Sequence, residues 1–282
     1  MPSTRWRPTW FLRASILVNI LALGALIAAP VQWRWALGAV LFNHTLLTLA
    51  GMWPRSRWLG PNWIRLPTVA AAAVAKNEIA LSIDDGPDPQ VTPQVLDILD
   101  RYAARATFFC IGERAARYPD LCREIVRRGH AVENHTQHHR HTFALLGMTR
   151  LTREIQAAQE TLAAITGRTP LFFRAPAGIR SPFLDPVLAR LGLRLVAWTR
   201  RGFDTRTADP ATVSRRLMAS LHAGAILLLH DGNSARSASG VPVIVAVLPA
   251  LLEALAAAGL RTVTLAEALP SEKACRHLLL KS

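Results

Sequence analysis

"EIALSIDDGPDP", residues 78–89, runs an apolar segment of strand length straight into two adjacent carboxylates and a Gly-Pro turn. A short apolar run bounded by turn residues reads as a buried strand. Asp84 and Asp85 then stand at its C-terminal end, held by Gly86 and Pro87 and pointing in different directions. Taken alone, an ordinary solvated turn is the better reading, because Asp, Gly and Pro are common turn residues. The rest of the chain decides between the two.

Six further strand candidates follow: "ATFFCI" (106–111), "HAVEN" (130–134), "LFFRA" (171–175), "RLVAW" (194–198), "AILLLH" (225–230) and "RTVTL" (261–265). Amphipathic helical patterns lie between most of them, among them "TPQVLDILDRYAA", "LTREIQAAQETLAAIT" and "ATVSRRLMASLHA". Strands alternating with crossover helices predict a parallel sheet. Closed on itself, it is a barrel of the (β/α) type with one unit fewer than the usual eight, and such barrels place chemistry at the C-terminal ends of their strands.

"ENHTQHHRH" (133–141) holds four histidines. His135 and His139 are four apart, so on a helical turn both rings share a face and can bind one ion. His138, three from His135, is an alternative partner. Arg174 ends the fourth strand and can hold a carboxylate at two points; a surface ion pair is the plainer reading. Asp204 follows the fifth strand, and His230 emerges from a wholly apolar run at the end of the sixth. Each residue is a weak signal. Asp84, Asp85, His135, His139, Arg174, Asp204 and His230 all fall at or just beyond the C-terminal ends of five strands, and chance would scatter them.

The first 75 residues differ in kind. After a basic start come two uncharged apolar stretches, 14–29 and 35–53, and a membrane helix needs about 17–25 largely apolar residues. Spans of about 14–30 and 35–53 are expected, joined by "PVQWRW" as a hydrophobic helical hairpin with Trp33, Trp35 and Trp53 at the interfaces. A signal peptide is the competing reading of the first stretch; a second stretch of similar length argues against it. Asn43 and His44 interrupt the second span and either face the partner helix or set the segment at the interface. Arg5, Arg7 and Arg13 precede the hairpin, only Arg34 lies in the link, and Arg55, Arg57 and Arg65 follow. Positive charge stays inside, which predicts a multi-pass protein of a bacterial-type inner membrane with both ends cytoplasmic. With a single span the remainder would be periplasmic. The expected organisation is an anchor and linker (1–75), a catalytic domain (76–270) and a tail (271–282).

The chain has 282 residues and a formal net charge of +14. The surplus is scattered arginine with no basic tract or aromatic-interleaved patch, so nucleic acid is not an expected partner. Cys110, Cys122 and Cys275 cannot all pair within one chain, and their spacing fits neither a zinc knuckle nor a redox motif.

In the order "SIDDGP", "HTQHH", "RAPAG", "FD" and "LLH", residues 78–268 resemble the polysaccharide deacetylases, which include chitin and peptidoglycan deacetylases. The resemblance implies a distorted (β/α)7 barrel of that type and hydrolysis of N-acyl groups on amino sugars. By it Asp84 is the general base, and Asp85, His135 and His139 are ligands of a divalent metal, with Thr136 supporting their loop. Zinc suits these ligands, and cobalt, nickel or iron could take the same set. Arg174 orients Asp84, the backbone N–H of Ala177 lines an oxyanion hole, Leu228 walls the acetyl pocket, Asp204 tunes His230, and His230 is the general acid. Two positions depart from the pattern: Ala177 and Thr205 stand where aromatic residues are usual. The expected partners are an N-acylated glycan or a lipid-linked amino sugar, and membrane lipid. A carbohydrate-binding or scaffolding protein without turnover and an O-acyl esterase are the alternatives.

Overall fold

A computed structural model describes residues 6–67 and 77–269. The expected domain boundary at 75, the tail 271–282, Arg5 and Cys275 lie outside the described residues. The strands are β1 Glu78–Asp84, β2 Thr107–Cys110, β3 Ala131–Asn134, β4 Phe172–Phe173, β5 Arg194–Leu195, β6 Arg200–Arg201, β7 Ile226–His230 and β8 Arg261–Val263. The helices are α1 Trp10–Ala28, α2 Trp33–Met52, α3 Thr92–Arg101, α4 Gly112–Arg117, α5 Pro119–Arg127, α6 Met148–Thr166, α7 Leu184–Leu191, α8 Pro210–Met218 and α9 Val243–Ala257.

Every ladder is parallel, in the order β5-β4-β3-β2-β1-β7-β6, with β8 on the start of β1. The sheet curls into a distorted barrel because one stretch, 194–201, pairs at its start with β4 and at its end with β7. The sequence predicts a single strand over 194–198; the structure keeps only Arg194–Leu195 of it as β5 and adds β6 beyond it at Arg200–Arg201. The physical reason is a second partner. Trp63 donates to the carbonyl of Leu195 (2.9 Å) and accepts from the N–H of Ala197 (2.8 Å), so the middle of the stretch pairs with the linker. Leu66 then donates to Gly224 at 2.8 Å. Residues 63–66, read from sequence as linker, are thereby built into the barrel wall.

Strand alternation decides which side chains reach the interior. Ile79, Leu81 and Ile83 of β1 and Leu227 and Leu229 of β7 pack outward with Val95 and Leu99 of α3 and Val247 and Leu251 of α9. The intervening residues face inward: Ala80 and Ile226 join Phe109, Phe172 and Val196 low in the barrel. One period further up, Ser82 is opposite Leu228; at the top Asp84 is opposite His230. Full burial of β1 and β7 on both faces is what their continuous apolar runs require.

α1 and α2 form an antiparallel pair joined by a short 3-10 turn at Pro30–Gln32. Both are long and apolar enough to cross a membrane. Nineteen residues span about 28 Å, close to the roughly 30 Å of a bilayer core. Asn43 turns inward and donates to the Ser15 hydroxyl at 3.0 Å, a polar tie between helices. His44 stays exposed and bonds back to its own helix at Val40. At the far turn Val31 is 87% exposed. The near end is fastened to the barrel: Arg180 N–H donates to the Gly51 carbonyl at 3.1 Å, and Trp6 Nε1 donates to Asp185 at 2.8 Å.

Candidate active site

Asp84 and Arg174 meet inside the barrel. Arg174 is 0% exposed and spends its donors on four acceptors: Asp84 Oδ1 at 2.6 Å, Ser82 Oγ at 2.9 Å, and the carbonyls of Ala197 (2.9 Å) and Val196 (3.3 Å). Its guanidinium also lies 4.1 Å over the ring of Phe109. A buried arginine survives only when paired and hydrogen-bonded in this way. Asp84 Oδ1 is therefore taken, while Oδ2 lies 3.9 Å from His135 Nε2.

Asp85 has φ 72°, a left-handed conformation that swings its carboxylate away from that of Asp84. Oδ1 is 3.2 Å from both His135 Nε2 and His139 Nε2. Oδ2 accepts from Asn233 Nδ2 at 3.1 Å, and Arg114 Nη1 donates to the Asp85 carbonyl at 2.8 Å. Burial alone would raise the Asp85 pKa, but the hydrogen bond and charge of His135, with His230 and His139 beyond, hold it below the usual carboxylate range.

The histidine pair comes together, though by a different route from the helical turn expected of its spacing. Residues 135–140 form a loop in which Thr136 (φ 69°) and His139 (φ 49°) are left-handed. The Asn134 side chain accepts from Thr136 N–H, and Thr136 Oγ1 accepts from His139 N–H, each at 2.9 Å. These local bonds outcompete the helix. His138 is turned aside onto Glu154 at 3.0 Å.

Asp85, His135 and His139 place one oxygen and two imidazole nitrogens within 4.8 Å of one another. His135 Nδ1 sits 2.8 Å from the Arg174 carbonyl, so Nε2 is the nitrogen turned to Asp85, as ligand histidines are commonly oriented. Burial and the nearby His135 push His139 down to about 4, which favours the neutral imidazole, the form able to bind a metal. The donor set fits a divalent ion.

Across the cavity, His230 Nδ1 lies 2.9 Å from Asp204 Oδ1, and its backbone N–H donates to Asp204 Oδ2 at 2.7 Å. Burial lowers the His230 pKa, yet Asp204, with the charges of Asp84 and Asp85, outweighs it and the net shift is upward. Asp84, Asp85, His135, His139 and His230 line one cavity of ≈ 620 Å³, together with Ala177, Leu228, Trp198, Arg201 and Arg206, while Arg174 and Asp204 stand behind it. Ala177 is itself left-handed at φ 54° within the 3-10 turn Pro176–Gly178.

Asn233, Arg114, Trp198 and Arg201 went unread in the sequence. A signal existed for Asn233: "HDGN" is a polar turn directly after a buried strand at the barrel mouth, the same pattern as "DDGP". Arg114, Trp198 and Arg201 carry no such mark. Beneath the site, Asp231 accepts from Thr92 Oγ1 at 2.5 Å and from Gly232 N–H at 2.8 Å; burial raises it to about 7.

The family model described as polysaccharide deacetylase matches residues 71–196. A peptidoglycan-N-acetylglucosamine deacetylase of Bacillus cereus is 35% identical over 200 residues, covering 70% of this chain and 91% of the relative. The chain belongs to the polysaccharide deacetylase family. As a member it is a hydrolase of the deacetylase type. A chitooligosaccharide deacetylase of Azorhizobium caulinodans is 37% identical over 165 residues, 57% of this chain and 78% of the relative. Among solved structures, the Bc1960 peptidoglycan N-acetylglucosamine deacetylase, in complex with an N-hydroxybenzamide derivative, superposes on this deacetylase with a TM-score of 0.66 at 26% identity, covering 74% of this chain and 92% of the other.

Proposed function

We propose that the protein is a membrane-held, zinc-dependent hydrolase that removes an N-acetyl or other N-acyl group from an amino sugar. The observation that carries this is the convergence, in one cavity, of a free carboxylate oxygen, a one-carboxylate, two-histidine donor set and a carboxylate-backed histidine. Asp85, His135 and His139 hold the ion. When bound, the ion supplies Lewis acidity toward a carbonyl oxygen and toward water.

The side chains divide the remaining work. Asp84, held at Oδ1 by Arg174, takes a proton from the attacking water at Oδ2. The N–H of Ala177 stabilises the developing oxyanion, and Leu228 walls the space for the acyl methyl. Asp204 anchors His230 through Nδ1, leaving Nε2 to protonate the departing amine, and raises its pKa so that the imidazolium persists near neutral pH. Residues 1–75 anchor the enzyme through the hairpin, both ends cytoplasmic, with residues 76–270 carrying the chemistry; the arginines flanking the two helices support this orientation.

The test uses the full chain, stripped of metal by chelation and reloaded with zinc, on a panel of N-acylated amino sugars and the matching O-acyl esters. Release of acetate or another acid from the amides, dependent on zinc, is the expected result. Release from esters alone would make it an esterase. Sugar binding without turnover would make it a binding protein.

A further inference from the structure

The cavity has two features that the hydrolytic reading does not use. Arg201 and Arg206 line it beyond the catalytic groups. Among the described residues neither forms an ion pair, and Arg201 Nε is buried without a hydrogen-bond partner. Arg201 is instead stacked 5.4 Å from the Trp198 ring and 5.0 Å from that of Phe203, which holds its guanidinium in place while leaving its donors free. Glu113 is the one acidic group of the rim outside the catalytic set, and it turns to Arg117 at 3.6 Å. Arg201, held by its aromatic neighbours, and the exposed Arg206 on the same lining offer two guanidinium groups without a carboxylate partner, a receptor for an anion whose oxygens suit their fork geometry.

The second feature is where the hairpin is rooted. The turn Pro176–Gly178, which brings Ala177 to the cavity, rests on the chain just past α2: a Cβ at Gly178 would stand 2.6 Å from Pro54. Arg55 reaches Thr199 at 3.5 Å, two residues before Arg201. Trp10, Trp53 and Trp58 are exposed around this same end, the position of an interfacial aromatic belt. The apolar helices thus begin at the mouth of the cavity, and an active site so placed opens beside the bilayer surface.

We propose that the substrate is an amino sugar carried on a lipid phosphate, its sugar over the Asp85, His135 and His139 trio, its phosphate on Arg201 and Arg206, and its lipid in the bilayer that the hairpin crosses. This rests on the deacetylase reading above. It predicts an order among three forms of one N-acetylated amino sugar, offered to the full zinc-loaded chain in phosphatidylethanolamine and phosphatidylglycerol vesicles. The forms are a polyprenyl phosphate conjugate in the vesicles, the soluble sugar 1-phosphate, and an uncharged alkyl glycoside in the vesicles.

The expected kcat/KM falls in that order: the lipid phosphate leads the uncharged glycoside by at least about tenfold, the scale of one charge-assisted contact, and leads the soluble phosphate because enzyme and lipid share one membrane surface, which raises the effective concentration. Arg201→Gln and Arg206→Gln should each cut the preference for the two phosphate forms over the uncharged glycoside by about tenfold or more. Arg201→Lys, which keeps the charge, should retain part of it. The Arg206 variant, at an exposed position, answers the question should Arg201→Gln fail to fold. Equal turnover of charged and uncharged forms, or arginine variants that lower all three equally, overturns the proposal and leaves deacetylation standing. A soluble sugar phosphate that matches the lipid form overturns the membrane part and identifies a free sugar phosphate as the substrate. No acid released from any form would overturn the deacetylase reading and this proposal together.

Discussion

The barrel mouth and the N-terminal hairpin depart from the usual distribution of polarity in opposite directions. At the mouth, Asp84, Asp85, His135, Arg174, Asp204 and His230 are all buried; along the hairpin, Leu21, Leu23, Ile27 and Trp35 are exposed. Each departure has its own physical justification. Buried charge is tolerated where every group has a partner, as Arg174 has in Asp84 and His230 in Asp204. Exposed hydrocarbon is tolerated where the surrounding medium is lipid. On the proposed reading the mouth is shaped by chemistry and the hairpin by lipid, and the two meet at residues 51–60.

Substitutions can break this contrast in graded steps. The largest effect belongs to Asp84→Asn, which keeps the shape but removes the proposed base: turnover should fall by about 10²–10⁴-fold, with zinc binding by calorimetry retained. A loss of folding instead would make the buried charge structural. Next, His139→Ala should weaken zinc by more than the roughly 10- to 100-fold typical of residues behind the ligands, whereas His138→Ala, which faces Glu154, should leave calorimetric affinity unchanged. The reverse would exchange the pair.

Asp204→Asn acts more gently, through His230. The negative charge of Asp204 raises the His230 pKa. Its removal lowers that pKa, so the alkaline limb of the pH–rate profile, where the acid is lost by deprotonation, should move toward lower pH. An unmoved limb would separate His230 from proton transfer. The smallest effect is expected in the hairpin: Asn43→Leu removes the bond to Ser15 and should cost about 0.6 kcal/mol in detergent unfolding, with kcat unchanged. A large loss of activity there would mean that the hairpin takes part in the chemistry.

Much of the mouth was legible before any fold was known. β1 and β7 announce themselves as apolar runs, and the polar residue ending each, Asp84 and His230, is fixed on the inner face by period-two alternation. The route by which His135 and His139 meet was not legible. Their spacing suggests a helix, but two side-chain bonds, from Asn134 and Thr136, turn the segment into a left-handed loop. Arg114 and Arg201 were invisible for another reason: scattered arginines look alike until the fold shows which of them lack a carboxylate.

The sequence by itself determined the alternation of strands and helices, the two apolar helices and the identity of the groups at the strand ends, because each is written in local periodicity and composition. Only the tertiary structure decided how the ring closes, with Trp63 bonding into the wall at residues 195–197, and that the hairpin stands at the mouth through Gly51, Pro54 and Arg180. Those contacts join residues more than a hundred positions apart. No local pattern encodes such a partner; it is chosen by the packing of the whole chain.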